Sequence, residues 1–189
     1  MEVLRTPPKK ERADAARNRA AVLDAAERLF RAHGVDAVSM DAIAAEAGVG
    51  KGTLFRRFGD KAGLGIALLD ERERVLQQSI ISGPPPLGPR AEPEERLAAF
   101  FDAYLDYVLE HLQLSRMSEA GGRYRIGAYR FWHQHVSILL RQAKPKADAE
   151  ALAHTLLSMV SAEQLIAVIA EVGAERAREA ILNVVQGTI

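Results

Sequence analysis

Apolar residues recur along this chain at the three- and four-residue spacing of helices, and no stretch alternates apolar and polar as a strand would. In ARNRAAVLDAAERLFRAHG one stripe runs through Val22, Ala25, Ala26, Leu29 and Phe30, with Arg, Asp and Glu opposite and Gly34 as a stop. Ser39 has the chemistry of an N-cap for a helix over 40–47, whose Ile43 and Ala44 face inward. Gly48 can end that helix in a left-handed conformation without steric cost. Gly50 opens a third helix over 51–58, and Asp60 caps a fourth over 61–80.

The pattern then breaks. The stretch SGPPPLGPRAEPEE (82–95) carries five of the eight prolines, which predicts a loop over 82–93. Longer amphipathic helices follow over 94–114, 123–142, 147–171 and 174–186, the last three separated by Pro145 and Gly173. The fold class is all-α, a small N-terminal part and a larger C-terminal one.

Composition changes this picture little, but its distribution matters. The 25 basic and 25 acidic residues balance overall. Residues 1–61 nevertheless hold 12 Lys/Arg against 9 Asp/Glu, so positive potential gathers at the N-terminal end. Cysteine is absent, which excludes disulfides, thiolate metal sites and a cysteine nucleophile. MEVLRTPPKKERADAARNR lacks the apolar core of a signal peptide, and no apolar run reaches the roughly 18–20 residues of a membrane span. The expectation is a cytoplasmic protein with no membrane partner.

The stretch AIAAEAGVGKGTLFRRF (42–58) places a Gly-Val-Gly turn between two short helices, with a longer helix before them. That is the arrangement of a helix-turn-helix, whose second helix enters a major groove. Lys51, Thr53, Arg56 and Arg57 are its donors: lysine neutralises a phosphate, threonine bonds one, and arginine forks onto a guanine edge. Spacing alone equally admits an αα-corner in an ordinary bundle, its arginines solvated.

The segment AAVLDAAERLFRAHGVDAVSMDAIAAEAGVGKGTLFRRFGDKAGL (20–64) resembles the N-terminal domain of the TetR family of bacterial transcriptional repressors. The features that carry the likeness are AA–LF–G in the first helix, Ser39, the IA–AGV core and KGTLF–F–K across the recognition helix. The resemblance covers about the first third of the chain and implies a flexible basic arm over 1–15, a helix-turn-helix domain over 16–62, a connecting helix over 61–80 and a ligand-binding and dimerisation domain over 94–189. It implies that Ser39 caps the second helix and touches a phosphate, that Gly52 lets the DNA approach closely, and that Thr53 and Lys61 contact the backbone. Lys51, Arg56 and Arg57 would read bases or phosphates. Gly50 stands where the family commonly has serine, and Phe55 where it has tyrosine, so two hydroxyl contacts are missing. Steep salt dependence is expected, since each neutralised phosphate adds about 0.9 to the log–log slope. Arg5, Lys9, Lys10, Arg12, Arg17 and Arg19 of the arm would add to it, or else form a solvated tail.

The C-terminal part supports each implied role separately. Leu152, Leu156, Met159, Ile166, Ile181, Leu182 and Val185 give the last helices wide apolar faces, suited to a homodimer interface or to a self-contained core. Aromatics gather before them, and Phe101, Tyr104, Tyr107, His111, Met117, Tyr124, Trp132 and His135 are the candidates to line a small-molecule pocket or to be plain core. Arg123, Arg125 and Arg130 suit an anion or a solvated face. His133 and His135 lie two apart, on different sides of a helix, so no metal site is expected, and no cofactor.

The reading that follows is a sequence-specific DNA-binding regulator, a repressor released from its operator by a small molecule. Gly63 and Gly65 would soften the connecting helix. A regulator without a ligand, constitutive or protein-controlled, is the alternative. A helical enzyme or ligand carrier is a third reading, for which no nucleophile–base pair, phosphate loop or metal-ligand spacing is found.

Overall fold

A computed structural model of the chain describes residues 9–115 and 127–188, which form helices and their connections in two compact units, 1–68 and 69–189. The first unit contains α1 (Lys9–His33), α2 (Met40–Glu46), α3 (Lys51–Phe58) and the start of α4 (Lys61–Ser82). Its core follows the apolar stripe: Val22, Leu23, Ala25, Ala26 and Phe30 of α1 are buried, as are Ile43 and Ala44 of α2, Leu54 and Phe58 of α3, and Leu64 and Leu68 of α4. α1 begins at Lys9, so residues 9–15 of the expected flexible arm are helical. The sequence after Pro8 holds no helix breaker, and Asp14 and Arg17 pair one turn apart.

The second unit contains the rest of α4, α5 (Pro93–Glu110), a helical turn at 112–115, α6 (Gly127–Ala143), α7 (Ala149–Met159), α8 (Ala162–Val172) and α9 (Ala174–Thr188). Pro93 opens α5 where its missing N–H has no partner to lose, and Glu94 and Glu95 favour the positive end of the helix. The core joins Leu76 and Ile80 of α4 to Leu97, Phe100, Phe101 and Leu105 of α5, and to Trp132, Val136, Leu139 and Leu140 of α6.

Two helices are shorter than the periodicity predicts. The single helix expected over 147–171 is two, α7 and α8, bent by 55°. Ser161 is the cause: its backbone is extended and its Oγ accepts from the Gln164 N–H at 3.4 Å, starting a new helix within an apolar run. Similarly, the helix expected over 94–114 halts after Glu110, where His111 leaves the helical region and donates from Nδ1 to the Tyr107 carbonyl at 2.9 Å. That carbonyl is the acceptor a continuing helix would offer to the His111 N–H. Among the described residues no single helix is long and apolar enough to cross a membrane. The bent α7–α8 pair has the apolar length, but Leu156, Leu157, Val160 and Leu165 are buried inside the unit.

Candidate nucleic-acid interface

The turn between α2 and α3 is built from backbone hydrogen bonds. Val49 N–H donates to Ala44 at 3.0 Å and Gly48 N–H to Ala45 at 3.2 Å, the paired bonds of a Schellman cap. Gly48 occupies the left-handed position at φ +65°, where a Cβ would be strained. At the other end of α2, Ser39 Oγ accepts from Ala42 N–H at 3.1 Å, leaving the hydroxyl proton available outward. Gly50 precedes α3 without any side-chain cap, so the first N–H groups of that helix stay uncovered.

α3 is held by Leu54 and Phe58, one turn apart and both buried, which turns the rest of the helix to solvent. Lys51, Gly52, Thr53, Phe55, Arg56 and Arg57 are all exposed on it. Phe55 is 46% exposed, a large apolar ring on an otherwise polar surface. A Cβ built on Gly52 would meet nothing within 4 Å, so nothing inside the protein requires glycine there.

The donors predicted from sequence divide into two groups. Arg56 and Thr53 make no side-chain hydrogen bond or ion pair among the described residues. Lys51 is paired with Asp41 of α2, and Arg57 donates from Nη1 to the Ala15 carbonyl of α1 at 2.8 Å. Arg28 of α1 bonds Glu46 of α2 at 3.0 Å, and the Arg19 guanidinium lies 5.9 Å from the centre of the Phe58 ring. These exposed links set α2 and α3 against α1; Asp41 and the Ala15 carbonyl lie outside the sequence motif and went unpredicted.

Lys61, expected to contact the DNA backbone, is engaged inside the unit. Its Nζ donates to the carbonyls of Val35 at 2.7 Å, Asp36 at 3.1 Å and Val38 at 3.1 Å, which uses all three ammonium protons inside the unit. It ties the α1–α2 loop to the first turn of α4. Gly63 sits in a close contact: a Cβ there would stand 2.1 Å from the Phe58 carbonyl oxygen. Glycine at 63 therefore permits a close approach of α3 and α4.

In the second unit, Phe100, Tyr104 and Tyr107 of α5 form a ladder of rings, with centroids 5.5 and 6.0 Å apart. Trp132 lies 5.5 Å from Tyr104, and His135 meets Phe100 edge-on at 5.2 Å. Of the expected pocket residues, Phe101, His111 and Trp132 are buried, and Tyr104, Tyr107 and His135 are half-buried. Met117 and Tyr124 lie outside the described residues. The ladder runs to Glu73 of α4, a residue sequence reasoning passed over: only 7% exposed, its carboxylate accepts from the Tyr107 hydroxyl at 3.3 Å. A break in the α4 stripe Leu69, Leu76, Ile80 was the available signal. Burial, and then the charge of Arg96, lower the His135 pKa to about 4. An open cleft of about 630 Å³ lies elsewhere in the unit, between Pro85, Pro86, Ala98, Ala99, Leu182 and Val185, and none of the expected pocket residues lines it.

The expected dimer residues also separate. Leu156, Ile181 and Val185 belong to the unit's own core, and Leu152, Met159 and Leu182 pack against it. Leu156, Ile181 and Val185 thus expose little surface of their own. Ile166 is half-buried, and Val184 of α9 is 48% exposed.

Comparison with known proteins bears on both units. Residues 22–68 match the family described as bacterial regulatory proteins, tetR family. An HTH-type transcriptional regulator of Staphylococcus aureus (strain USA300) is 47% identical over 53 residues, 28% of this chain and 29% of that protein. The aligned segment thus spans less than a third of the curated relatives it matches. Over most of the chain the likeness is one of fold. A protein of Saccharomonospora viridis, described as a transcriptional regulator and solved in complex with choline, superposes with a TM-score of 0.69 at 18% identity, covering 89% of this chain and 95% of its own. A TetR-family transcriptional regulator of Streptomyces coelicolor gives 0.67 at 22% identity, covering 92% of this chain and 94% of its own.

Proposed function

We infer that this protein, whose residues 22–68 match the bacterial regulatory proteins of the tetR family and whose fold is like that of a solved TetR-family regulator, is a sequence-specific transcriptional regulator, a repressor released from its operator by a small molecule. The observation that carries the reading is α3 itself. Leu54 and Phe58 are spent on the core, and its outer face offers Thr53, Phe55, Arg56 and a glycine that nothing inside the protein requires. A helix presented in this way fits a major groove, where Arg56 reads a base edge and Thr53 and Ser39 hold phosphates.

Two copies are needed to place two such helices one turn of DNA apart. The outer faces of α8 and α9 supply a surface for pairing, through Ile166, Ala167, Ala170 and Val184. The ring ladder of the second unit supports a small-molecule effector, as does the choline complex of the Saccharomonospora protein. A ligand held there and favouring one position of α4 would change the spacing of the two recognition helices, which is release by a difference in binding between two states.

The test is binding of the purified chain to fragments of its own upstream DNA across a salt series, beside Arg56→Ala. Preference for one short palindrome, lost in the variant, is the expected result. Weak binding that ignores sequence and the arginine alike overturns the reading.

A further inference from the structure

Phe55 is the one exposed aromatic ring among the described residues, and it stands on α3. Leu54 beside it and Phe58 one turn on are buried, so the helix has already committed its apolar face to the core. The Phe55 ring stacks on no other ring of the described residues, and 46% of the residue is left to solvent. Gly52, Thr53 and Arg56 share the open side of the helix with it, all exposed. Gly52 lies three residues before Phe55, on an adjoining part of the helix surface. A Cβ on Gly52 would meet nothing within 4 Å, so the surface beside the ring is open on that side.

We propose that Phe55 is a specificity residue, reading the C5-methyl group of a thymine in each operator half-site. This rests on the DNA-binding reading above and names one base that it requires. A phenyl ring neither donates to a phosphate nor pairs with the donors and acceptors of a base edge. The apolar group that base pairs present in the major groove is the thymine methyl, and phenylalanine is among the side chains that contact it. A ring held against that methyl discriminates thymine from cytosine, which carries only hydrogen at the same place. Contact removes apolar surface of both partners from water and asks no hydrogen bond of either. Arg56, the next residue along, reads a base edge by hydrogen bonds, so the two side chains divide the readout between polar and apolar contact. A single exposed apolar residue is ordinary on a protein surface. Phe55 is set apart by its place on the helix that faces the groove.

The full chain first selects its tightest duplex from a random-sequence pool, and each thymine of that duplex is then replaced by deoxyuridine. Uracil keeps every hydrogen-bonding group of thymine and lacks only the methyl. One position in each half-site should weaken binding about fourfold, the size of one buried methyl group, and the others less than about twofold. In Phe55→Ala that sensitivity should disappear at a native melting temperature. Phe55→Gln, which is polar and favours the helix, serves if the alanine variant does not fold. Selective binding that no deoxyuridine weakens overturns the proposal and leaves the regulator standing. A loss that persists in Phe55→Ala assigns the methyl to another side chain, such as Thr53, and likewise overturns it. A chain that selects no sequence overturns the DNA-binding reading, and this proposal with it.

Discussion

Lys61 donates from Nζ to the carbonyl oxygen of Val35 at 2.7 Å, across 26 residues of sequence. With Asp36 and Val38 accepting as well, this lysine acts inside the DNA-binding unit as a clamp on the α1–α2 loop. Lys61→Met is expected to lower the melting temperature and weaken DNA binding without changing the salt slope. Arg56→Ala should instead keep the melting temperature and lose the preference for operator over unrelated DNA, because this arginine reads a base edge. The check is one salt titration of both variants on operator and unrelated DNA; a slope reduced in Lys61→Met would return the lysine to the DNA.

Gly52 allows stability and binding to be separated. A Cβ there meets nothing within 4 Å, and alanine is favoured over glycine in a helix by about 1 kcal/mol. Gly52→Ala should therefore melt at or above the native temperature while losing operator affinity, because the methyl occupies the space the DNA needs. Retained affinity in a gel-shift assay would mean that α3 does not approach DNA closely at this position.

Gly63 should behave in the opposite way. Alanine there places a methyl 2.1 Å from the Phe58 carbonyl, a backbone atom that cannot move aside cheaply. Gly63→Ala is expected to destabilise the DNA-binding unit and lose DNA binding with it. Melting followed by circular dichroism decides the matter, since a softening role predicts a more stable protein.

The proposed pairing surface can be probed by changing one exposed and one buried residue. Val184→Glu should convert dimers to monomers in light scattering at unchanged helix content. Leu156→Ala, whose side chain is in the core, should keep the dimer and cost about 2–5 kcal/mol of stability. If Val184→Glu remains dimeric, the α9 face is not the interface.

His135 predicts an acid limb in stability. Its pKa is lowered to about 4 by burial and by Arg96, while the unfolded chain's histidine titrates near 6.5. Between those values the unfolded state binds more protons, so this contribution is complete above about pH 6.5 and is lost as pH falls toward about 4. His135→Phe should flatten that part of a denaturation-midpoint profile; an unchanged profile would place the acid sensitivity elsewhere.

The sequence by itself determined the elements and the turn at the centre of the site. Ser39, Gly48 and the stripe through Leu54 and Phe58 act over fewer than six residues, where capping and 3.6-residue periodicity leave one low-energy arrangement. It misjudged two breaks, at His111 and Ser161, because there a single side-chain hydrogen bond outweighs a continuing apolar pattern. Only the tertiary structure decided where the charges are spent. Lys51 and Arg57 are equivalent to Arg56 in the sequence motif, yet Asp41 and the Ala15 carbonyl engage the first two and leave the third exposed. The same holds for Val184 and Val185, adjacent and identical in type, one exposed and one fully buried. Glu73 meets the Tyr107 hydroxyl of α5 only through the fold, from 34 residues away. An amphipathic helix specifies that one of its faces is buried, but the groups waiting on that face come from distant segments, and they decide whether a charge there finds a partner.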